Sequence, residues 1–127
     1  MELLKYTNSI DFSLGTSSLT IGTFDGMHIG HNHLIEEMLK FSNFNKIPSV
    51  VVTFTPNPFI VLNNLDESQY HLMSPSQKYD LLESMGVDYV CEIGFDKNIS
   101  DMSAQEFLSR FIIKPFNPNN IVIGYDH

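Results

Sequence analysis

Two histidines follow a glycine-rich stretch near the start of the chain, in the order Gly22, Gly26, His28, Gly30 and His31. Residues three apart share one face of a helix, so both imidazoles can donate hydrogen bonds to a single anion. Glycines have no side chain to block the close approach of a phosphate chain. If a strand ends and a helix begins here, backbone N–H groups and the helix dipole add to the same site. The stretch therefore predicts a phosphate-binding turn.

Two other interpretations of this histidine pair stay open. A zinc site would use both imidazoles, but no third and fourth ligand follow at suitable spacing, so we predict no metal bound by protein side chains. A structural role, with the imidazoles capping neighbouring loops, leaves the glycines unexplained. Cys91 is interpreted as a small buried strand residue rather than a nucleophile, because Tyr89, Val90 and Ile93 surround it in the sequence.

Strand and helix patterns alternate along the chain and supply the elements that must position this turn. The patterns predict strands at Leu19–Phe24, Ile47–Phe54, Asp88–Ile93 and Asn120–Gly124, and helices over His31–Lys40, from Ser74 to Met85 and from Ser103 through Ile112. This alternation predicts an α/β fold, a doubly wound, mainly parallel sheet with helices on both faces. Ligands of such sheets bind at the carboxyl ends of the strands.

Capping residues and a long connection give further detail. Ser74 with Gln77, and Ser103 with Glu106, have the spacing of capping boxes. The connection from Thr55 to about Met73 is longer than strand-to-helix loops usually are, and we interpret it as a substrate-facing loop.

Composition limits the class of protein. The 127 residues, 43% hydrophobic and 17% charged, fit one globular domain. A formal net charge of −8 argues against a nucleic-acid partner. None of the basic residues adjoins the glycine–histidine stretch in the sequence. One cysteine excludes an internal disulfide, and the start of the chain has neither a leader pattern nor a long apolar span, so we expect a cytoplasmic protein.

The stretch from Gly22 to His31 resembles the H-x-G-H signature of the cytidylyltransferase-like nucleotidyltransferases. Further segments are similar to the adenylyltransferase part of bacterial FAD synthetases, and this similarity covers nearly the whole chain. These segments are Val51–Pro58, Leu81–Glu83, Gly86–Val90, Phe95–Asp96, Ser103–Phe107 and Gly124–Asp126.

The resemblance implies a Rossmann-like fold and an activity: transfer of AMP from ATP to FMN, with release of pyrophosphate and with Mg²⁺ accompanying ATP. It assigns the nucleotide to Gly22, Thr23, Phe24, Asp25, His28, Gly30, His31 and Asp126, with His28 and His31 as catalytic residues. It assigns the flavin to Thr53, Pro56, Asn57 and Pro58. The attacking FMN phosphate is already charged, so catalysis needs positioning and electrostatic stabilisation rather than a base.

Two departures from the family pattern change these expectations. Asn57 stands where many relatives have histidine, which removes a titratable group. The family continues into a Ser/Thr and Arg motif that grips the triphosphate, and normally into a riboflavin kinase domain, whereas this sequence ends at His127. We therefore expect residues 1–127 to be an incomplete adenylyltransferase domain that binds substrates but is weakly active or inactive.

Two alternative functions remain. The chain is a nucleotidyltransferase of the same superfamily with another phosphorylated acceptor, such as glycerol phosphate or phosphopantetheine. Or it is a non-catalytic fragment that binds nucleotide or nothing and self-associates through exposed sheet edges.

Overall fold

The computed structural model of the chain describes residues 1–6, 12–24, 29–66 and 73–123, with residues 29–32 described by their backbone. Five strands and six short or medium α-helices occur in these ranges. The strands are β1 (Glu2–Tyr6), β2 (Ser17–Ile21), β3 (Ser49–Thr55), β4 (Tyr89–Gly94) and β5 (Pro118–Val122). The helices are α1 (Ile29–Asn45), α2 (Pro58–Leu62), α3 (Pro75–Met85), α4 (Lys97–Asp101), α5 (Ala104–Phe107) and α6 (Lys114–Phe116), with a π-helical segment, Leu108–Ile113, between the last two.

All five strands are parallel, in the order β1-β4-β3-β2-β5. The chain moves from β2 to β3 to β4 in one direction and then returns to place β5 on the other side of β2. That reversal makes the boundary between β2 and β5 the switch point of the sheet, where ligands of doubly wound folds bind. The predicted α/β class with a doubly wound parallel sheet is confirmed.

Alternating side chains of β3 divide the core between the two faces of the sheet. Val51 packs with residues of α1 and α3, such as Ile35, Met38 and Leu82. Val50 and Val52 pack on the opposite face, where Phe111 and Phe116 come from the helical segments that precede β5. Helices therefore cover both faces, as an unbroken run of valines predicts.

The end of β3 continues this alternation with two different side chains. Thr53 faces α3 and is fully buried. Phe54 faces the opposite side, where its ring centroid lies 6.2 Å from that of Phe95 and 5.8 Å from that of Phe107. A polar contact and an aromatic cluster thus lie on opposite faces of the sheet at the carboxyl end of β3.

Strand β2 is buried along its whole length although three of its five residues carry hydroxyls. Each hydroxyl donates to a backbone carbonyl: Ser17 to Phe116, Ser18 to Met38 and Thr20 to Val122, at 2.7, 2.8 and 2.7 Å. Buried polar groups require such partners, so the hydroxyls tie β2 to α1, to the end of α6 and to β5.

Several boundaries differ from the sequence-based prediction. Strand β1 was not predicted; its residues are half-buried or exposed at the edge of the sheet, so no buried apolar run marks it. Helix α2 lies inside the segment predicted to be loop, since Asn57 caps it and Pro58 begins it. Helix α1 extends to Asn45, well beyond the predicted end at Lys40.

Both serines predicted to cap α3 and α5 do so, but the reciprocal capping box is formed at α3 and not at α5. The capping box of Ser74 and Gln77 is complete, and Gly86 ends α3 in the left-handed conformation. The Ser103 hydroxyl accepts from the Glu106 N–H at 3.1 Å, while the Glu106 carboxylate pairs with Arg110, one turn later. In the described ranges, no helix combines the length and the apolar character that crossing a bilayer requires.

Replacing Gly86 with alanine tests the left-handed end of α3. Its φ is +95° and a methyl group there would meet no atom within 4 Å, so the penalty is backbone strain alone. We expect Gly86→Ala to lower the free energy of unfolding by about 1–2 kcal/mol. Gly15→Ala is the matched control, because its added methyl group is equally unobstructed and no positive φ applies. That variant should stay within about 0.5 kcal/mol of the parent in urea denaturation, and equal losses would contradict the strain explanation.

The thiol of Cys91 should be unreactive in the folded protein. Its side chain is fully buried in β4, and this burial raises the pKa of Cys91 to about 12. We expect no modification by a disulfide reagent at pH 8 until denaturant is added, since the thiolate is the reactive form. Fast modification of the folded protein would contradict this placement.

The same pKa has a consequence for stability. The thiol of the unfolded chain ionises near pH 8.5, whereas the folded thiol stays protonated. The contribution of Cys91 to the free energy of unfolding is therefore complete below about pH 8.5 and declines as the pH rises toward 12. We expect the stability difference between the parent and Cys91→Ala to shrink over that range in denaturation at several pH values.

Candidate functional site

The turn after β2 leaves the sheet at its switch point. The Gly22 N–H donates to the Val52 carbonyl at 3.0 Å, which continues the pairing of β2 with β3 by one bond. Phe24 then adopts a left-handed φ of 54° and its ring is fully buried among residues of α1 and α3. The chain is thereby turned from the strand toward the start of α1.

His31 lies at the start of α1, and His28 precedes that helix in the sequence. The helix begins at Ile29, so Gly30 and His31 belong to its first turn, which is the placement that the phosphate-binding prediction requires. The structure describes the backbone at these two positions. Asp25, His28 and Asp126 lie outside the described residues, so their predicted roles stay predictions.

A buried lysine lies under this turn. Lys78, on α3, has 2% of its surface exposed. Its Nζ donates to the Thr23 carbonyl at 2.9 Å and to Thr53 Oγ1 at 3.2 Å. Thr53 Oγ1 in turn donates to the same Thr23 carbonyl at 3.0 Å. Three polar groups from β3, α3 and the turn after β2 thus meet in the core.

This contact brings a basic residue to the glycine–histidine stretch, although none adjoins the stretch in the sequence. Along the chain, 55 residues separate Lys78 from Thr23. The helix that carries Lys78 packs on the same face of the sheet as α1, so folding brings the ammonium to the turn. Helix α3 mixes polar and apolar residues, so the sequence does not indicate that its lysine is buried.

The four residues predicted to contact flavin do not share one environment. Thr53 is fully buried and its hydroxyl is used within the protein. Asn57 accepts the Phe59 N–H at 2.9 Å through Oδ1 and so caps α2, with Pro58 as the first residue of that helix. Pro56, after a cis peptide bond, joins β3 to this cap and is exposed.

Two apolar side chains of α2, next to the residues predicted to contact flavin, are exposed to solvent. Phe59 is 60% exposed and Leu62 63% exposed, whereas Ile60 is buried. Exposed aromatic and aliphatic groups beside the carboxyl edge of the sheet can cover a planar apolar ligand. The sequence predicted a substrate-facing loop here, but it did not predict the helix or these exposed apolar side chains.

A separate groove of about 690 Å³ lies between α1 and β5. Two carboxylates, Glu36 and Glu37, line it together with Lys40, Phe41 and Phe44. Among the described residues, no three His, Cys, Asp or Glu side chains come together as a possible metal site.

Comparison with known proteins identifies the family. A family model described as FAD synthetase matches residues 12–127. A bifunctional riboflavin kinase/FMN adenylyltransferase from Buchnera aphidicola subsp. Schizaphis graminum (strain Sg) is 31% identical over 126 residues, covering 99% of this chain and 40% of that protein. The protein of the same description from Escherichia coli (strain K12) is 32% identical over 108 residues, covering 85% and 34%.

A shorter relative has the name of the family, and a solved structure has the same fold. A protein named FAD synthetase from Listeria monocytogenes serovar 1/2a (strain ATCC BAA-679 / EGD-e) is 29% identical over 124 residues, covering 98% of this chain and 50% of its own length. A crystal structure described as a macrolide-efflux protein from Streptococcus pneumoniae superposes with a TM-score of 0.85 at 27% identity, covering 100% of this chain and 49% of that one.

The chain therefore spans between about a third and a half of the length of these relatives. The family model matches residues 12–127, which include four of the five parallel strands. The chain belongs to the FAD synthetase family.

Proposed function

We propose that these residues form the nucleotide-binding core of an FMN adenylyltransferase, which joins the AMP part of ATP to FMN and releases pyrophosphate. One observation carries the proposal: the turn Gly22–Phe24 leaves β2 at the switch point of the sheet and leads into α1, within a chain of the FAD synthetase family. This is the position at which parallel sheets bind nucleotides.

The ATP phosphates would lie against the turn and the first turn of α1. Backbone N–H groups at the start of a helix face outward and attract anions. Gly30 and His31 are in that first turn, and the sequence places His28 directly before it. The proposed catalytic residues are His28 and His31, with Gly22, Thr23, Phe24, Asp25, Gly30 and Asp126 completing the nucleotide site.

The flavin would lie next to the end of β3. Pro56, Asn57 and Pro58 connect β3 to α2 at the same edge of the sheet as the phosphate turn. Because parallel strands end together, substrates bound at the ends of β2 and β3 would lie close enough to react. Thr53 would act from inside the core, by supporting the turn rather than by touching the flavin.

The reaction needs little from the protein beyond placement and charge. A phosphate oxygen of FMN attacks the α-phosphorus of ATP, the bond to the β-phosphate oxygen breaks, and the electron pair leaves with pyrophosphate. The attacking oxygen is already an anion, so no side chain has to remove a proton. Donors that face the developing charge, and the Mg²⁺ bound to ATP as substrate, lower the barrier.

ATP and FMN are the proposed ligands, and the net charge of −8 opposes binding of nucleic acid. The proposed compartment is the cytoplasm, where a single unpaired thiol such as Cys91 stays reduced. Among the described residues, β1 and β5 each pair on one side only, which keeps the alternative of self-association through a sheet edge.

Replacing His31 tests the catalytic assignment. We expect His31→Ala to lower the rate of FAD formation from FMN, ATP and Mg²⁺ at least about 100-fold, as loss of one preorganised donor does in other enzymes. The assay uses the longest natural polypeptide that contains these residues, with chromatographic detection of FAD. Full activity of His31→Ala, or no FAD from the parent, would refute the assignment.

His33→Ala is the matched control for that experiment. His33 lies two residues further along α1, its side chain is 69% exposed, and it pairs with Glu37 at 3.5 Å. Removing it deletes the same ring from the same helix at a distance from the turn, so the rate should stay within about twofold of the parent.

Flavin binding separates the proposed reaction from other acceptors. We expect FMN fluorescence to change saturably on titration with the protein, because apolar surface at α2 would cover the isoalloxazine ring and replace water around it. Glycerol phosphate and phosphopantetheine should not compete. Saturable displacement of FMN by either acceptor, or no change in flavin fluorescence, would favour the alternative transferase.

A further inference from the structure

Phe24 has a backbone conformation that its residue type disfavours. Its φ is 54°, in the left-handed region, where the side chain of an L-amino acid crowds its own backbone. Among the described residues, Lys46, Asn64 and Asn117 also have a positive φ, but all three are exposed and two are asparagines, which tolerate this region. Phe24 is aromatic and fully buried. Such a residue keeps this φ only where the surrounding structure imposes it.

Contacts on both sides of Phe24 impose its conformation. Before it, the Gly22 N–H donates to the Val52 carbonyl at 3.0 Å, and the Thr23 carbonyl accepts from Thr53 Oγ1 at 3.0 Å. Both partners belong to β3, so the two residues that precede Phe24 are tied to the sheet. The Phe24 ring itself packs in the core with residues of α1 and α3. A different φ would take the ring out of the core or break the bonds to β3.

The conformation of Phe24 affects where the chain goes next. The sequence Asp25–His28 connects Phe24 to α1, which begins at Ile29. Because both ends of this short connection are held by the fold, the direction in which the chain leaves Phe24 limits the paths open to it. In the proposed function this connection and the start of α1 bind the phosphates. A change in the conformation of Phe24 should therefore affect the phosphates of a ligand more than its nucleoside.

We propose that Phe24 is a positioning residue for the ATP phosphates. Burial of its ring holds the chain in a conformation that this residue type would otherwise leave, and thereby directs the chain from the end of β2 to the start of α1. The inference rests on the proposed function. Phe24 is not a catalytic residue, because its side chain is enclosed by the core and acts on the ligand only through the residues that follow it.

Alanine and glycine at this position separate the ring from the backbone conformation. Both remove the ring, but glycine alone adopts a φ of 54° without steric cost. Adenosine and ATP, each with Mg²⁺, are titrated calorimetrically into the longest natural polypeptide that contains these residues and into both variants. We expect the affinity for ATP to fall about tenfold or more in Phe24→Ala but about threefold in Phe24→Gly. The affinity for adenosine should change less than about twofold in either variant.

Phe116 supplies the matched control. Its ring is also fully buried, but it packs on the opposite face of the sheet, and its φ is not positive. Phe116→Ala should lower the stability as Phe24→Ala does, because the same ring leaves a core position, while both affinities stay within about twofold of the parent. Phe116→Gly should bind ATP no more tightly than Phe116→Ala. Thermal unfolding of every variant shows whether it is folded.

Four results would overturn the inference. An ATP affinity of Phe24→Gly no higher than that of Phe24→Ala would remove the role of the backbone conformation. Equal losses for adenosine and ATP, or an equal loss of ATP affinity in Phe116→Ala, would mean that the ring only maintains the fold. If neither Phe24 variant folds, Phe24→Leu decides: its smaller side chain should weaken ATP about threefold and leave adenosine unchanged, and no loss specific to ATP overturns the inference. A parent protein that binds neither ligand refutes the proposed function itself.

Discussion

Burial of β2 on both faces is the constraint on which the rest of the fold depends. A central parallel strand has no solvent-facing side, yet this one carries three hydroxyls. Each hydroxyl donates to a carbonyl of a different element, so the strand is tied at once to α1, to the end of α6 and to β5. These bonds fix where the chain leaves the sheet at the end of β2.

The parts of the fold that bury apolar side chains could be predicted from the sequence. Val50–Val52 marks a doubly covered strand, and the serine caps of α3 and α5 mark helix starts. Strand β1 could not be predicted, because an exposed edge strand has no distinctive apolar run and is defined by its pairing with β4. Helix α2 was missed because five residues are too few to show helical periodicity.

In the candidate site, local features could be predicted from the sequence, whereas contacts between distant segments could not. Local geometry, such as the start of α1 at the glycine–histidine stretch, is encoded in neighbouring residues and was predicted. The contact of Lys78 with Thr23 depends on how α3 packs against the sheet, and no local pattern specifies it. Thr53 shows the same limit: its place in a strand was predicted, but its hydroxyl turned out to serve the interior.

The alternation at the end of β3 constrains how this family can vary. Thr53 and Phe54 are adjacent, and their side chains serve opposite layers of the molecule. Deletion of one residue upstream in β3 would exchange them, bringing a benzyl group against the ammonium and a hydroxyl among aromatic rings. Changes in side-chain volume along β3 can be absorbed by repacking, but a change in the number of residues cannot. Natural variants should therefore accumulate insertions and deletions outside this strand, in the connections that it joins.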